Sequence, residues 1–223
     1  MEFMEVLKKR QSIRRYKEGQ IPKDDLLKII EAAGLAPSGK NIQNWHFVVV
    51  TEQSTKDKIA ELVTEKNHMV SEKMDIVDPE KANRFRKFCK NFTVFFTKAA
   101  ALVLVYSTFY PPSGYYEYKM VGLDPEHDLV YVRNPGMQSL GAALENFSLR
   151  AVDLGYGSCW LTSANYAAAE IEAYMKDVHG FEKKDFFLAA LMSVGIPEDN
   201  QRSPEKKPID DICTFLDDAK ISE

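Results

Sequence analysis

The sequence predicts an α+β fold, a three-layer α/β/α arrangement built as one domain over residues 1–223. Three observations carry this. Segments of helical periodicity come first, and strand-like runs then alternate with further helices. Two runs, Trp45–Val50 and Ala99–Ser107, are dense in aromatic and β-branched residues. No repeat or linker divides the 223 residues, a length that suits one core.

Phe3, Val6 and Leu7 recur at helical spacing, so Glu2–Arg10 is a short helix. Pro22 suits a first helical position, and Leu26, Ile29, Ile30 and Ala33 form an apolar face behind it. Pro37 disfavours helix at the residue before it, so this helix ends by Ala36 and a loop runs through Asn41. Trp45–Val50 is nearly all apolar, as in a strand buried on both faces. Ser54–Asp57 has the form of a capping box for a helix bearing Ile59, Leu62 and Val63. Residues 64–78 are polar and carry no clear period. Pro79 opens another helix, with Phe85, Phe88, Cys89 and Phe92 on one side. Ala99–Ser107 is a strand. Residues 108–134 form a long aromatic insertion with little regular structure, the mark of a lid or binding loop. Asn134-Pro135 caps a long helix with Met137, Leu140, Leu144, Phe147, Ala151 and Leu154 on a buried or subunit-facing stripe. Gly155-Tyr-Gly157 ends it. Ser158–Leu161 and Phe186–Val194 are strands around a helix at Ala167–Val178, and the tail from Gly195 is rich in proline and charge.

The formal net charge of −4 gives no nucleic-acid footprint. Three scattered cysteines without CxxC spacing fit a reducing compartment. The start is charged from its second residue and lacks the apolar core of a signal peptide. The longest apolar run, Ala99–Tyr106, is too short to span a bilayer. These features describe a soluble cytoplasmic protein that engages neither membrane nor nucleic acid. His46, His68, His127 and His179 form no metal-ligand spacing.

Three segments could carry chemistry. Arg10-Gln11-Ser12-Ile13-Arg14 places two guanidinium groups on one helix face or at its end, suited to a phosphate; the plain alternative is a solvated basic terminus. Pro37-Ser38-Gly39-Lys40-Asn41 has small residues that let backbone approach a flat ligand, or it is an ordinary connection. Gly155–Ala164 leaves a tight turn as a strand and ends in Thr162 and Ser163, which either meet a ligand or cap the next helix.

Together the segments resemble the nitroreductase family. The signatures are Arg10-x-Ser12-x-Arg14, then Pro37-Ser38-x-x-Asn41-x-Gln43-x-Trp45. Next comes Ala151-x-x-Leu154-Gly155-x-Gly157-x-x-Trp160, then Val194-Gly195-x-Pro197 and a basic-proline segment at Lys206, Lys207 and Pro208. Their order and spacing match over nearly the whole chain, with residues 64–97 and 108–134 the poorest. The resemblance implies a central, mainly antiparallel sheet with helices on both sides, in an intertwined homodimer. It implies FMN at the subunit interface, with NADH or NADPH as electron donor. On that basis Arg10, Gln11, Ser12, Lys206 and Lys207 hold the phosphate and ribityl chain, and Arg14 lies near the pyrimidine. Pro37, Ser38, Gly39 and Asn41 come from the partner chain. Trp160, Leu161, Thr162 and Ser163 run beside the ring, the two hydroxyls as tuners of its N5. Lysine stands in the basic-proline segment where arginine is common, and it lacks the bidentate fork. Phe109, Tyr115, Tyr116 and Tyr118 are candidates to stack on a small acceptor, a nitroaromatic or quinone. The rival readings are a reductive dehalogenase, a flavin-cleaving enzyme, and a non-enzymatic flavin-binding redox sensor.

Overall fold

The structure is a computed structural model, and it describes residues 1–216. Helix α1 (Phe3–Lys9) is followed by a two-residue strand β1 (Tyr16–Lys17) and by α2 (Lys23–Gly34). Pro22 sits one position earlier than expected, at the N-cap, where its missing N–H costs nothing. Strand β2 (Trp45–Val50) leads into α3 (Gln53–Asp75) and α4 (Pro79–Phe88). Strand β3 (Ala101–Thr108), the short α5 (Tyr115–Met120) and the long α6 (Pro135–Asp153) come next. Strand β4 (Gly157–Leu161), α7 (Ala168–His179) and β5 (Phe186–Pro197) complete the regular structure.

All strand pairs in the sheet are antiparallel. The order runs β1-β5-β3-β2, with β4 also on β5. Alternation along β3 explains the three layers. Leu102, Leu104 and Tyr106 face a core shared with Ile59, Val63, Phe96 and Ile171. Ala101, Val103 and Val105 face one shared with Ile29, Leu140, Leu144 and Phe147. Helices α3 and α7 thus cover one face, and α2 and α6 the other.

Several expectations need correction. β2 is not buried on both faces: it is an edge strand, so only Val50 is buried and Val49 is exposed. The capping box at Ser54 does not form, because α3 starts one residue earlier behind Glu52, whose carboxylate accepts from the Thr55 hydroxyl at 2.9 Å. Residues 64–75 continue α3; Val63, Asn67 and Ser71 repeat every four residues on its buried side, a stripe too polar to stand out in the sequence. Phe88 and Phe92 do not join Cys89 in the core. The helix changes to a π turn at Cys89–Thr93, and the two rings stack on each other in the open, 5.6 Å apart. Residues 108–134 are more regular than expected, with α5 and a π-helical turn at Glu126–Val132. Among the described residues no helix is long and apolar enough to cross a membrane.

Candidate functional site

Helix α1 stops at Lys9, and Arg10 leaves it with extended backbone (φ −63°, ψ 120°). The chain then runs beside β4: Ile13 donates its amide to the Ser158 carbonyl at 2.9 Å, and Ser12 and Ser158 form a parallel bridge. Side chains of extended backbone alternate sides. Arg10, Ser12 and Arg14 therefore share one side through a two-residue period, not through a helical face. Gln11 and Ile13 take the other. Gln11 lines a separate cleft with Ile13 and Tyr156 and donates to the Gln201 carbonyl at 2.9 Å, so it does not join the arginines.

Glycine makes the close packing possible. Gly155 turns the chain out of α6 at φ +87°. At Gly157 a Cβ would lie 2.6 Å from Ile13 Cγ1 and 2.9 Å from its Cβ and Cγ2. The arginine segment can rest on β4 only because nothing stands there.

Two cavities open on the arginine side and share Ser12. The first, about 370 Å³, is walled by Arg10, Ser12, Glu145, Ser148, Trp160 and Thr162. The second, about 300 Å³, has Arg14, Arg15 and Arg202 among its walls and no carboxylate there, although Arg15 is paired with Glu198 at 3.1 Å; Asn91 and Phe92 from the π turn stand opposite. Such a concentration of cations favours an anion. Arg10 is fixed by α6, its Nε 3.1 Å from Glu145 Oε1. Gln201 clamps the far end of the segment. Its Oε1 accepts the amides of Arg14 and Arg15, each at 3.1 Å, and its Nε2 donates to the Arg15 carbonyl at 2.7 Å.

Alternation along β4 sends Cys159 and Leu161 into the core and leaves Trp160 44% exposed at the first cavity. Leu161 therefore reaches the cavity with no side-chain atom. Burial raises the Cys159 thiol above its ordinary pKa, against the smaller opposing effects of Arg14 and Ser12, so it stays protonated. Thr162 lines the first cavity, while the Ser163 Oγ is buried without a hydrogen-bond partner. Neither residue caps α7, whose N-cap is Ala167.

Other sequence candidates lie elsewhere within the chain. Ser38 accepts the Gln43 amide at 2.9 Å, and the Gly39 amide meets Ser139 Oγ at 3.4 Å. Pro37, Gly39 and Asn41 are exposed and wall neither cavity. Ser139 precedes Glu145 by six residues of α6, roughly 9 Å along the axis. Lys206 and Lys207 are exposed and also wall neither cavity; Arg202 does. Tyr115 is no open stacking platform. It is buried, packs edge-on against Phe109 and Tyr116, and donates its hydroxyl to Glu126 at 2.6 Å. Phe109, Tyr116 and Tyr118 remain exposed.

Sequence reasoning missed Glu145, Ser148, Asn91, Gln201 and Arg202. For the first two a signal existed: a carboxylate and a hydroxyl three apart, on one face of a helix whose apolar stripe is plain in the sequence. The others depend on long-range placement of the π turn and the tail.

An antiparallel sheet between helix pairs, with an extended Arg-x-Ser-x-Arg segment laid on one strand, defines a recognisable class. The nitroreductase family model matches residues 7–196, and the chain belongs to the nitroreductase family. It is 28% identical over 200 residues to a protein of Archaeoglobus fulgidus provisionally named NADH dehydrogenase/NAD(P)H nitroreductase, covering 90% of this chain and 88% of that protein. A BluB-like flavoprotein from Clostridium difficile 630 is 55% identical, with a TM-score of 0.94 over 97% of this chain and 99% of that one. A nitroreductase with bound FMN from Bacteroides fragilis NCTC 9343 shares the fold at 23% identity, with a TM-score of 0.69 over 97% and 99% of the two chains.

Proposed function

We propose that this protein is an FMN-dependent oxidoreductase that carries electrons from NADH or NADPH to a small acceptor, a nitroaromatic, a quinone or a similar compound. The observation that carries the reading is the pair of cavities meeting at Ser12, one rich in arginine and free of carboxylate, the other walled by an indole and a hydroxyl. The residues fit FMN. Arg10, Arg14 and Arg202 suit a phosphate dianion. At Gly141 of α6 a Cβ would come within 3.4 Å of the edge of the Trp160 ring, so the absence of a side chain leaves that edge uncrowded.

When bound, FMN would supply the redox chemistry, and the cavity walled by Trp160 and Thr162 would admit the nicotinamide and the acceptor in turn. The chain's own part is to hold and tune. Arg10, pinned by Glu145, keeps its terminal guanidinium nitrogens for an anion. Thr162 and Ser163 can each donate or accept, because a hydroxyl proton rotates freely. A cation such as Arg14 favours negative charge on a neighbouring ligand. Arg202, and not the exposed Lys206 and Lys207, supplies the tail's cation at the cavity wall.

The Pro37–Asn41 loop lies apart from the cavities of its own chain, and in this reading it completes the site of a partner chain in a homodimer. Residues 108–134 serve as a lid whose exposed Phe109, Tyr116 and Tyr118 meet the acceptor, with Tyr115 as their anchor. The names of the Archaeoglobus fulgidus and Bacteroides fragilis relatives support the donor and the cofactor. A cytoplasmic location suits a reductant of this kind.

Initial rates at varied NAD(P)H and varied acceptor test the mechanism. Parallel double-reciprocal lines are expected; intersecting lines contradict the shared site, and no turnover contradicts the enzyme.

A further inference from the structure

A cavity of about 720 Å³ separates α7 from the turn that enters β5, and it shares no wall residue with the two cavities at Ser12. Its floor is aromatic. The Tyr106 and Phe181 rings lie 5.1 Å apart, Phe186 adds a third ring, and His46 stacks behind Phe181 at 5.7 Å with 11° between planes. Ala169 and Ala173, four residues apart on α7, offer only methyl groups and leave the space open.

Tyr106 is 4% exposed, and its hydroxyl is buried with no hydrogen-bond partner. Buried polar groups are satisfied in nearly all folded proteins, so an orphan at a cavity wall marks the place of a missing partner. Burial, and then the Glu172 carboxylate, push the phenol up to about 12, which keeps it protonated and able to donate. The rest of the wall carries Lys176, Lys183 and Lys184 against Glu172, Glu182 and Asp185. Lys176 and Glu182 neutralise each other at 2.9 Å, Glu172 accepts the Leu188 amide, and Lys183 stands 4.8 Å over the Phe186 ring. Three cations against three carboxylates offer a lone anion or a lone cation no net attraction. A molecule bearing both charges gains from each.

We propose that this cavity binds a small zwitterion of amino-acid type with an apolar or aromatic body. Its ammonium meets Glu172, its carboxylate meets Lys183 and Lys184 and takes the Tyr106 proton as a hydrogen bond, and its body lies on Phe181 and Phe186. The site is separate from the redox reading and does not depend on it.

Calorimetric titration of the full chain with L-phenylalanine tests this, beside 3-phenylpropionate, which lacks the ammonium, and phenethylamine, which lacks the carboxylate. Saturable binding of phenylalanine is expected, with each one-charge analogue roughly tenfold weaker or worse. Tyr106→Phe should weaken binding roughly tenfold while its unfolding midpoint stays level or rises, because only an unsatisfied hydroxyl is lost. Ala173→Leu, which fills the space, should abolish binding and leave FMN uptake intact. The proposal is overturned if phenylalanine does not bind saturably, if both variants bind it like the wild type, if the analogues bind as well, or if FMN displaces it.

Discussion

Gly157→Ala tests whether close packing of the arginine segment on β4 builds the site. The new methyl would meet three atoms of Ile13 at 2.6, 2.9 and 2.9 Å, none of them the end of a flexible side chain. Ile13 is β-branched, buried and tied by its amide to Ser158, so it cannot yield without moving the backbone of Ser12 and Arg14. Overpacking of this kind costs about 1–3 kcal/mol. Restricting the unfolded chain returns about 0.4–1 kcal/mol, so the net loss lies between about 0 and 2.6 kcal/mol, with a midpoint of about 1.3 kcal/mol. A displaced Ser12–Arg14 should also lose about one charge-assisted contact with FMN, weakening it roughly tenfold or more. Urea unfolding gives the first quantity, and titration of the apoprotein with FMN, followed by quenching of flavin fluorescence, gives the second. Gly34→Ala is the control: a Cβ there has no atom within 4 Å, and α2 should gain about 0.5–1 kcal/mol with FMN affinity unchanged. If Gly157→Ala keeps both wild-type stability and wild-type FMN affinity, the segment is not positioned by this contact.

Three further outcomes follow from the same geometry. Arg10→Ala should weaken FMN by about 1.5–3 kcal/mol, ten- to hundredfold, in the same titration; an unchanged dissociation constant removes Arg10 from the site. Tyr116→Ala and Tyr118→Ala, at exposed positions of α5, should reorder the rates for a panel of acceptors while FMN stays bound, whereas an identical ranking means the segment does not meet the acceptor. Burial, and then Lys183, hold the His46 imidazole below its ordinary pKa. The unfolded chain therefore binds more protons between that lowered value and about 6.5, so this contribution is complete above about 6.5 and is lost as pH falls through the interval. Unfolding free energy measured against pH should fall more steeply there for wild type than for His46→Gln, and equal slopes would reject the assignment.

How far the sequence reveals this protein depends on the range of the interaction. The strands at Trp45–Val50, Ala101–Thr108 and Gly157–Leu161 are legible because apolar and β-branched runs are local. The α6 stripe of Leu140, Leu144, Phe147 and Ala151 is legible for the same reason. Burial of β2 is not, since edge and centre differ only in what lies beside them. The Arg10-x-x-x-Arg14 spacing is visible, but a helical and an extended segment both give the two arginines a common side, and only an extended one adds Ser12 to it. Only the bond from Ile13 to Ser158 decides between them. Gln201, which clamps that segment from 186 residues away, leaves no local trace at all.

The absorbance spectrum of the purified protein, before and during anaerobic addition of NADH or NADPH, tests the central claim most directly. The expected result is a flavin spectrum, released as FMN on denaturation, which bleaches with at least one of the two nicotinamides and returns when a quinone or nitroaromatic is added. A colourless protein that takes up no FMN on titration, or a bound flavin that neither nicotinamide reduces, would contradict it.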